Sequence, residues 1–184
     1  MTALFASYLA EHASTGAVAF RRAHTRPVLV RQDDEADEAG LEFNTHYMHR
    51  SEFARTVTAA PRVQVPAAAK PLSHGLGEVF AIEKRAGGAF PERIGIGRAP
   101  NADVRIPLPR ISKYHAYFSV GGDGTSLLLT DAGSTNGTSV EARPLQPKQP
   151  VQLESGDLIH LGPYRFVYLT ADGLARWVAQ RIPR

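Results

Sequence analysis

The stretch that decides the fold begins at residue 94 as IGIGRAPNADVRIPLPRISKYHAYFSV and continues at residue 127 as LLLTDAGSTNGTSV. Short runs within it alternate apolar and polar residues, as half-buried strands do. Leu127–Leu129 is an unbroken apolar run, which suits a strand covered on both faces. Glycine, asparagine and aspartate separate these runs and are typical of turns. Many short strands spaced about 8–12 residues apart predict an all-β sandwich or barrel.

The strand pattern extends outward on both sides of this stretch. Glu78–Glu83 alternates before it and Tyr164–Leu169 closes the series after it, so we assign the sandwich to residues 76–169. Thr170 can cap a following helix, and an apolar stripe predicts that residues 170–184 pack on the sandwich as a helix. The predicted fold is therefore mainly β, with about ten or eleven short strands and a C-terminal helix.

The first 75 residues have a different character. Residues 60–75 are rich in proline and alanine and are predicted to form a linker. Residues 1–59 are predicted to form a partly helical N-terminal extension, because apolar residues recur at helical spacing near its start and over residues 43–59. Val28–Val30 predicts one short strand within this extension.

The extension also contains an acidic run, Asp33–Glu38. Such a run is typical of a solvated loop, and an internal brake on a basic site elsewhere in the chain is the alternative. Thr45, Thr56 and Thr58 follow it and precede the linker. A flexible linker of about fourteen residues averages about 20 Å from end to end. A phosphorylated threonine of this extension could therefore reach loops of the same chain, which would make self-binding possible.

Composition excludes several classes of protein. The chain has no cysteine, which excludes disulfides and cysteine-ligated zinc. Its net charge of +3 is too small to indicate nucleic-acid binding without a clustered patch. No apolar run approaches the roughly 18 residues of a membrane helix, and no basic leader precedes the first apolar residues, so we expect a cytoplasmic location. We find no defensible catalytic constellation and expect no metal, no cofactor and no enzymatic activity.

Four short motifs carry the functional prediction. They are Gly97-Arg98, Ser112-Lys113-Tyr114-His115, residues 131–138 (DAGSTNGT) and residues 156–162 (GDLIHLG). Each motif alone is a weak signal, because each also fits an ordinary turn or surface position. Their order and spacing together resemble the forkhead-associated (FHA) domain family, whose members are phosphothreonine-binding β-sandwiches, over about residues 76–169.

The resemblance implies roles for five residues. In the family, the residues that match Arg98 and Ser112 bind the phosphate, and the residue that matches Thr135 helps to hold the phosphothreonine. Lys113 matches a residue beside the bound peptide, and Asn136 matches one that bonds to the peptide main chain. Lysine at this position departs from the commoner arginine. Lysine keeps the positive charge but lacks the planar guanidinium of arginine, which can donate two parallel hydrogen bonds. Selectivity for the residues around the phosphothreonine can therefore differ.

These residue types also suit phosphate binding on physical grounds. A phosphothreonine carries about −1.5 to −2 charges and three acceptor oxygens, so its site needs a cation, hydroxyl donors and free backbone N–H groups. Three further residues are predicted to support the site. Gly97 lets the chain turn at a strand end, and Gly137 completes an Asn-Gly turn. The resemblance implies that His115 braces the binding loops.

We therefore predict a non-enzymatic signalling or adaptor protein that binds phosphothreonine-containing peptides through loops at one end of the sandwich. The expected partner is a phosphothreonine-containing protein, either a serine/threonine kinase or a substrate of one. Two alternatives stay open. One is a constitutive interaction or oligomerisation module whose phosphate site is unused. The other is a regulatory subunit of a larger enzyme or secretion assembly, with residues 1–75 as the adaptor.

Overall fold

The computed structural model describes residues 2–32, 76–86 and 90–182. In these ranges the chain forms twelve β-strands and two α-helices, α1 (Phe5–Ala23) and α2 (Ala171–Ala179). Ten of the twelve strands lie within residues 76–169, and the other two precede them. The strands are β1 (Thr2–Leu4), β2 (Val28–Gln32), β3 (Leu76–Ala81), β4 (Ile94–Gly97), β5 (Val104–Arg105), β6 (Ala116–Val120), β7 (Leu127–Asp131), β8 (Thr138–Val140), β9 (Arg143–Pro144), β10 (Val151–Gln152), β11 (Leu158–Leu161) and β12 (Tyr164–Leu169).

The strands form two sheets that share one core. One sheet has seven strands in the order β1-β3-β2-β12-β11-β8-β9, and the other has five in the order β10-β7-β6-β4-β5. Phe118 and Leu129 of the five-stranded sheet meet Ile159 and Phe166 of the seven-stranded sheet, and all four side chains are fully buried. The prediction of a mainly β, FHA-type sandwich is confirmed.

Strand β2 comes from the N-terminal extension but lies inside the seven-stranded sheet. It pairs with β3 on one side and with β12 on the other. Leu29 lies in the core between the two sheets, whereas Val28 and Val30 belong to a second apolar core on the outer face. Both faces of β2 are therefore covered, which explains why three consecutive apolar residues form one strand. The predicted strand at this position is confirmed.

Strand β1 forms an edge of the same sheet by pairing with β3. The sheet thus includes residues that precede the predicted start of the sandwich at residue 76. The predicted boundaries at residues 59 and 75 lie outside the described residues and stay predictions. The acidic run, the predicted helix over residues 43–59 and the threonines at 45, 56 and 58 also lie outside the described residues.

Helix α1 doubles back on itself at Gly16, whose backbone has φ 80° and ψ 163°. The rings of Tyr8 and Phe20 lie 6.2 Å apart, although twelve residues of straight helix would span about 18 Å. Glycine adopts positive φ without steric cost, so Gly16 permits this reversal. The sequence predicted only a short helix at the start of the chain.

Helix α2 confirms the predicted C-terminal helix. The Thr170 side chain caps it by accepting a hydrogen bond from Gly173 N at 3.1 Å. The Trp177 ring on its buried face packs edge-on against Phe5 of α1, with ring centroids 5.6 Å apart. The two helices form a third layer on the outer face of the seven-stranded sheet. Within the described ranges, neither helix combines the length and the apolar character needed to cross a membrane.

Candidate functional site

Three loops meet at one end of the sandwich. They are the β4–β5 loop (residues 98–103), the β5–β6 loop (residues 106–115) and the β7–β8 loop (residues 132–137). Ser112 contacts both of the other loops. Its carbonyl oxygen accepts a hydrogen bond from Arg98 N at 3.0 Å, and its hydroxyl oxygen accepts one from Thr135 N at 3.1 Å. Hydrogen bonds to Ser112 therefore hold the three loops together.

Ser112 and Thr135 also bring their hydroxyl groups together. Ser112 Oγ donates to Thr135 Oγ1 at 3.4 Å, across 23 positions of sequence. Ser112 is partly buried and Thr135 is exposed. Two hydroxyls at this separation can both donate to one phosphate group, because a phosphate presents three acceptor oxygens.

Arg98 and Lys113 are exposed cations on the β4–β5 and β5–β6 loops. Their backbones are held in place, since Arg98 N donates to the Ser112 carbonyl and Ala99 N donates to the Lys113 carbonyl at 3.3 Å. Both side chains are exposed. Among the described residues, no carboxylate forms an ion pair with either of them. The two charges are therefore available to an incoming anion.

The close approach of the β4–β5 and β5–β6 loops depends on Gly97. A Cβ at this position would stand 2.2 Å from the Lys113 carbonyl oxygen and 3.1 Å from the Ser112 carbonyl oxygen. The first distance is far inside van der Waals contact and involves backbone atoms, which cannot rotate away. The absence of a side chain at Gly97 thus sets the spacing between Arg98 and Ser112.

Asn136 lies exposed at the tip of the β7–β8 loop. Its Nδ2 donates to the Arg110 carbonyl at 2.8 Å, which orients the amide and ties this loop to the β5–β6 loop. An amide carries both N–H donors and a carbonyl acceptor, so an amide held in this way can bond to the main chain of an extended segment. Gly137 follows with φ 75°, a conformation that favours glycine.

The buried ring of His115 connects the β5–β6 loop to the β7–β8 loop. Ser112 N donates to Nδ1 at 3.1 Å, and Nε2 lies 3.1 Å from the Gly137 carbonyl oxygen. Because Nδ1 accepts, the proton of the neutral ring belongs on Nε2, which then donates to Gly137. Burial lowers the pKa of His115 below its usual value, against smaller opposing effects of the Gly137 carbonyl and the Asp131 charge. The ring is a neutral brace between two loops.

Asp131, the buried last residue of β7, organises the β7–β8 loop. Its carboxylate accepts from Gly133 N at 2.7 Å, from Ser134 N at 3.0 Å and Ser134 Oγ at 2.7 Å, and from Thr138 Oγ1 at 2.6 Å. Burial raises the pKa of this carboxyl, but the hydrogen bonds from Thr138, Ser134 and Gly133 outweigh that effect and hold the pKa below its usual value. The carboxylate thus points into its own loop and does not contact Arg98 or Lys113.

Asp131 and the Arg110 carbonyl are parts of this site that were not among the residues predicted from the sequence. Asp131 had a recognisable signal, since an aspartate that precedes Gly-Ser by two positions is typical of a turn in which the side chain accepts from the backbone. The role of the Arg110 carbonyl had none, because it depends on contact with a loop 26 positions away. Within the described ranges, no group of three or more histidine, aspartate or glutamate side chains is placed to hold a metal ion.

Three loops at one end of the sandwich thus carry hydroxyls, exposed cations and an oriented amide. This combination defines a β-sandwich domain with a candidate anion-binding site. The family model described as FHA domain matches residues 94–162. The oxoglutarate dehydrogenase inhibitor of Corynebacterium jeikeium is 34% identical to this chain over 102 residues, which cover 52% of this chain and 67% of the inhibitor. This chain belongs to the FHA domain family.

Two further comparisons concern a longer relative. FhaA of Mycobacterium tuberculosis, an FHA domain-containing protein, is 36% identical over 93 residues, which cover 49% of this chain but only 17% of FhaA. A crystal structure of the FhaA FHA domain, complexed with the intracellular domain of another protein, is 33% identical and covers 48% of this chain and 86% of that domain, with a TM-score of 0.38. About half of this chain therefore matches a small part of the length of FhaA.

Proposed function

We propose that this chain binds phosphothreonine-containing segments of partner proteins as a non-enzymatic adaptor. The observation that carries the proposal is the meeting of the Ser112 and Thr135 hydroxyls, 3.4 Å apart, beside the backbone of Arg98. Membership of the FHA family supports the same function, because FHA domains are non-enzymatic phosphopeptide-binding modules.

In this proposal three side chains hold the phosphate. The planar guanidinium of Arg98 grips two phosphate oxygens, which is the strongest geometry available for a protein cation. The hydroxyls of Ser112 and Thr135 donate to the phosphate from the neighbouring loops. A cation and two hydroxyls at one point match a dianionic group with three acceptor oxygens, whereas an unmodified threonine offers nothing to the guanidinium.

Two other side chains take the peptide around the phosphothreonine. Asn136 bonds to the peptide main chain through the amide that Arg110 holds in place. Lys113 adds a second positive charge beside the peptide, which favours acidic residues near the phosphothreonine. Gly97, His115 and Gly137 support the site by fixing the loops, as their contacts allow.

The proposed partner is a phosphothreonine-containing protein, either a serine/threonine kinase or a substrate of one, in the cytoplasm. A small pocket for the threonine methyl would make the binding free energy of phosphothreonine more favourable than that of phosphoserine by on the order of 0.8 kcal/mol. We therefore expect phosphothreonine to bind more tightly than phosphoserine, and unmodified threonine to bind least.

Titration of the whole chain with fluorescent peptides tests the proposal. A degenerate library of seven-residue peptides carries phosphothreonine, phosphoserine or threonine at its centre, and anisotropy reports binding. We expect saturable binding only for the phosphorylated libraries. If no phosphothreonine peptide binds, the proposal is wrong and the phosphate site is unused.

The position of the N-terminal extension favours a second candidate, in which the chain binds its own phosphothreonine. Gln32 pairs with Leu76 across β2 and β3, and with Arg165 across β12. Arg165 follows the turn whose Gly162 N donates to the Gly137 carbonyl at 2.9 Å. Gln32 and Leu76, the described residues on either side of positions 33–75, therefore both lie at the end of the sheet that carries the three loops. Three strand spacings separate β2 from β8, a distance of about 14 Å.

This second candidate predicts that phosphorylation of the extension blocks the site. After treatment with a serine/threonine kinase, mass spectrometry locates any phosphate on Thr45, Thr56 or Thr58, and a phosphothreonine peptide is titrated before and after. We expect weaker peptide binding by the phosphorylated chain, and recovery after phosphatase treatment. If mass spectrometry finds no modification within residues 1–75, self-binding is excluded.

A further inference from the structure

A cluster of three aromatic rings and one arginine lies at the surface beside the three loops, with only Tyr117 partly buried. We call it the aromatic platform; it consists of Phe90, Arg93, Tyr114 and Tyr117. The Tyr114 and Tyr117 rings stack with centroids 6.3 Å apart and planes inclined by 14°, and the Phe90 ring lies 6.0 Å from Tyr114. Phe90 is 50% exposed and Tyr114 is 37% exposed. Single exposed apolar residues are ordinary, but contiguous ones mark contact surfaces.

Strand geometry places the aromatic platform on the outer face of the five-stranded sheet. Along β6 the Phe118 side chain points into the core, so Tyr117 points outward. On the neighbouring strand, Gly95 faces outward and provides the space in which Tyr114 lies. A Cβ on Gly95 would stand 2.7 Å from the Tyr114 ring. The platform is thus built into the sheet, with Tyr114 packed directly on the backbone of β4.

Arg93 gives the aromatic platform an available positive charge. Its guanidinium lies 4.5 Å from the Tyr117 ring centroid and 5.9 Å from that of Phe90. The nearby carboxylate of Asp103 is engaged with Lys84 at 2.8 Å and with backbone N–H groups. No carboxylate of the described residues pairs with Arg93. The surface therefore suits an apolar or aromatic side chain that has a carboxylate beside it.

The aromatic platform is continuous with the candidate phosphate site. Tyr114 directly follows Lys113, and Gly95 lies two positions before Gly97 on the same strand. From Gly97 to Arg93 the strand runs for about 13 Å away from the loops, at about 3.3 Å per residue. A partner chain anchored at the loops would reach Arg93 with about four to six extended residues.

We infer that the aromatic platform is a second contact site for the same phosphothreonine-containing partner. It binds an apolar or aromatic residue, with an acidic residue next to it, four to six positions from the phosphothreonine on one side. The inference rests on the proposed function. Four side chains are too few to supply the roughly 800 Å² per partner that a stable dimer needs, so a second copy of this chain is the less suitable occupant.

Peptides of two lengths separate this contact from phosphate binding. The best seven-residue phosphothreonine peptide from the library above is extended by six randomised residues at each end. We expect selection of an aromatic or apolar residue beside an acidic one, at four to six positions on one side, and at least fivefold tighter binding than the short peptide. In Tyr117→Ala and in Arg93→Ala the increment should vanish while the short peptide binds as before.

Val120→Ala is the matched control, because Val120 is 58% exposed on the same strand but shares the face of Phe118, opposite the aromatic platform. Thermal unfolding checks that each variant is folded. If Tyr117→Ala does not fold, the test of the aromatic platform rests on Arg93→Ala. Equal affinity of short and long peptides would overturn this inference and leave the proposed function intact. Failure of every short peptide would overturn both. A dimer in sedimentation that Tyr117→Ala abolishes would assign the surface to self-association instead.

Discussion

Gly97 and the Lys113 carbonyl lie so close that any side chain at Gly97 would overlap the carbonyl oxygen, at 2.2 Å. This contact sets the spacing of the two loops that carry Arg98 and Ser112. We predict that Gly97→Ala separates the loops, lowers the free energy of unfolding by about 1–3 kcal/mol and weakens phosphothreonine binding. Urea denaturation and peptide titration measure the two effects.

Gly122→Ala is the matched control for that substitution. Gly122 lies in the hairpin between β6 and β7 at the opposite end of the sandwich, and a Cβ there would meet no atom within 4 Å. This variant should retain both stability and binding. If Gly97→Ala binds as tightly as the natural chain, the loop spacing does not control the site.

Arg98→Ala should weaken phosphothreonine binding by about 2 kcal/mol, or roughly 30-fold, because charge-assisted hydrogen bonds to the phosphate are lost. Arg98→Lys should recover only part of this loss, since an ammonium group cannot donate the two parallel hydrogen bonds of a planar guanidinium. Binding to the natural chain should weaken as salt is added, and the Arg98→Ala variant should show a smaller salt dependence. Calorimetry at several salt concentrations provides these values.

The control for Arg98 is Arg176→Ala, which removes an exposed arginine from α2, outside the three loops. It changes the net charge by the same amount and should leave affinity unchanged. Equal losses from the two arginine variants would mean that the effect is one of overall charge, and the proposed grip on the phosphate would be wrong.

Local patterns allowed most of the sandwich and the candidate site residues to be predicted. Strand alternation and turn chemistry act over a few residues, and the DAGSTNGT motif showed its Asn136-Gly137 turn directly. The structure brings Ser112 and Thr135 together because their loops follow strands, β5 and β7, that finish at the same end of the sandwich. Their roles in binding stay predictions until peptides are tested.

The features that were missed depend on long-range contacts or on very short elements. The position of β2 between β3 and β12 follows from pairs such as Gln32 with Arg165, which no local pattern reveals. The reversal of α1 depends on one glycine, Gly16. Strand β9 has only two residues, both exposed and one of them a proline, so it shows no alternation.

His115 predicts a specific dependence of stability on pH. Burial lowers its pKa in the folded chain, so the unfolded chain takes up the proton more readily. The stabilisation from the neutral ring is therefore complete above the ordinary histidine pKa of about 6.5 and is lost as the pH falls below that value. Protonation would also remove the Nδ1 acceptor of Ser112 N.

Urea denaturation of the natural chain and of His115→Asn, between pH 8 and pH 5, measures this effect. The variant should be less stable at pH 8, and the difference between the two chains should shrink toward pH 5. Other titrating groups are the same in both chains, so they cancel in the difference. A difference that stays constant over this range would mean that His115 is not held neutral by the fold.

The contributions of Ser112 and Thr135 to phosphothreonine binding should be coupled. Ser112→Ala and Thr135→Val should each weaken phosphothreonine binding by about 1 kcal/mol, the usual net value of one hydrogen bond. Because their hydroxyls lie 3.4 Å apart and donate to one phosphate in our proposal, the double variant should lose less than the sum of the single losses.

Calorimetric titration of a single phosphothreonine peptide against all four chains gives the coupling energy. Thr125→Val is the control, because Thr125 is an exposed threonine in the hairpin between β6 and β7, at the end of the sandwich far from the loops. Thr125→Val should bind the peptide with the same affinity as the natural chain. If the losses of binding free energy in Ser112→Ala and Thr135→Val are strictly additive, the two hydroxyls bind different groups of the peptide. Two donors to one phosphate share that partner, so their losses would not be independent.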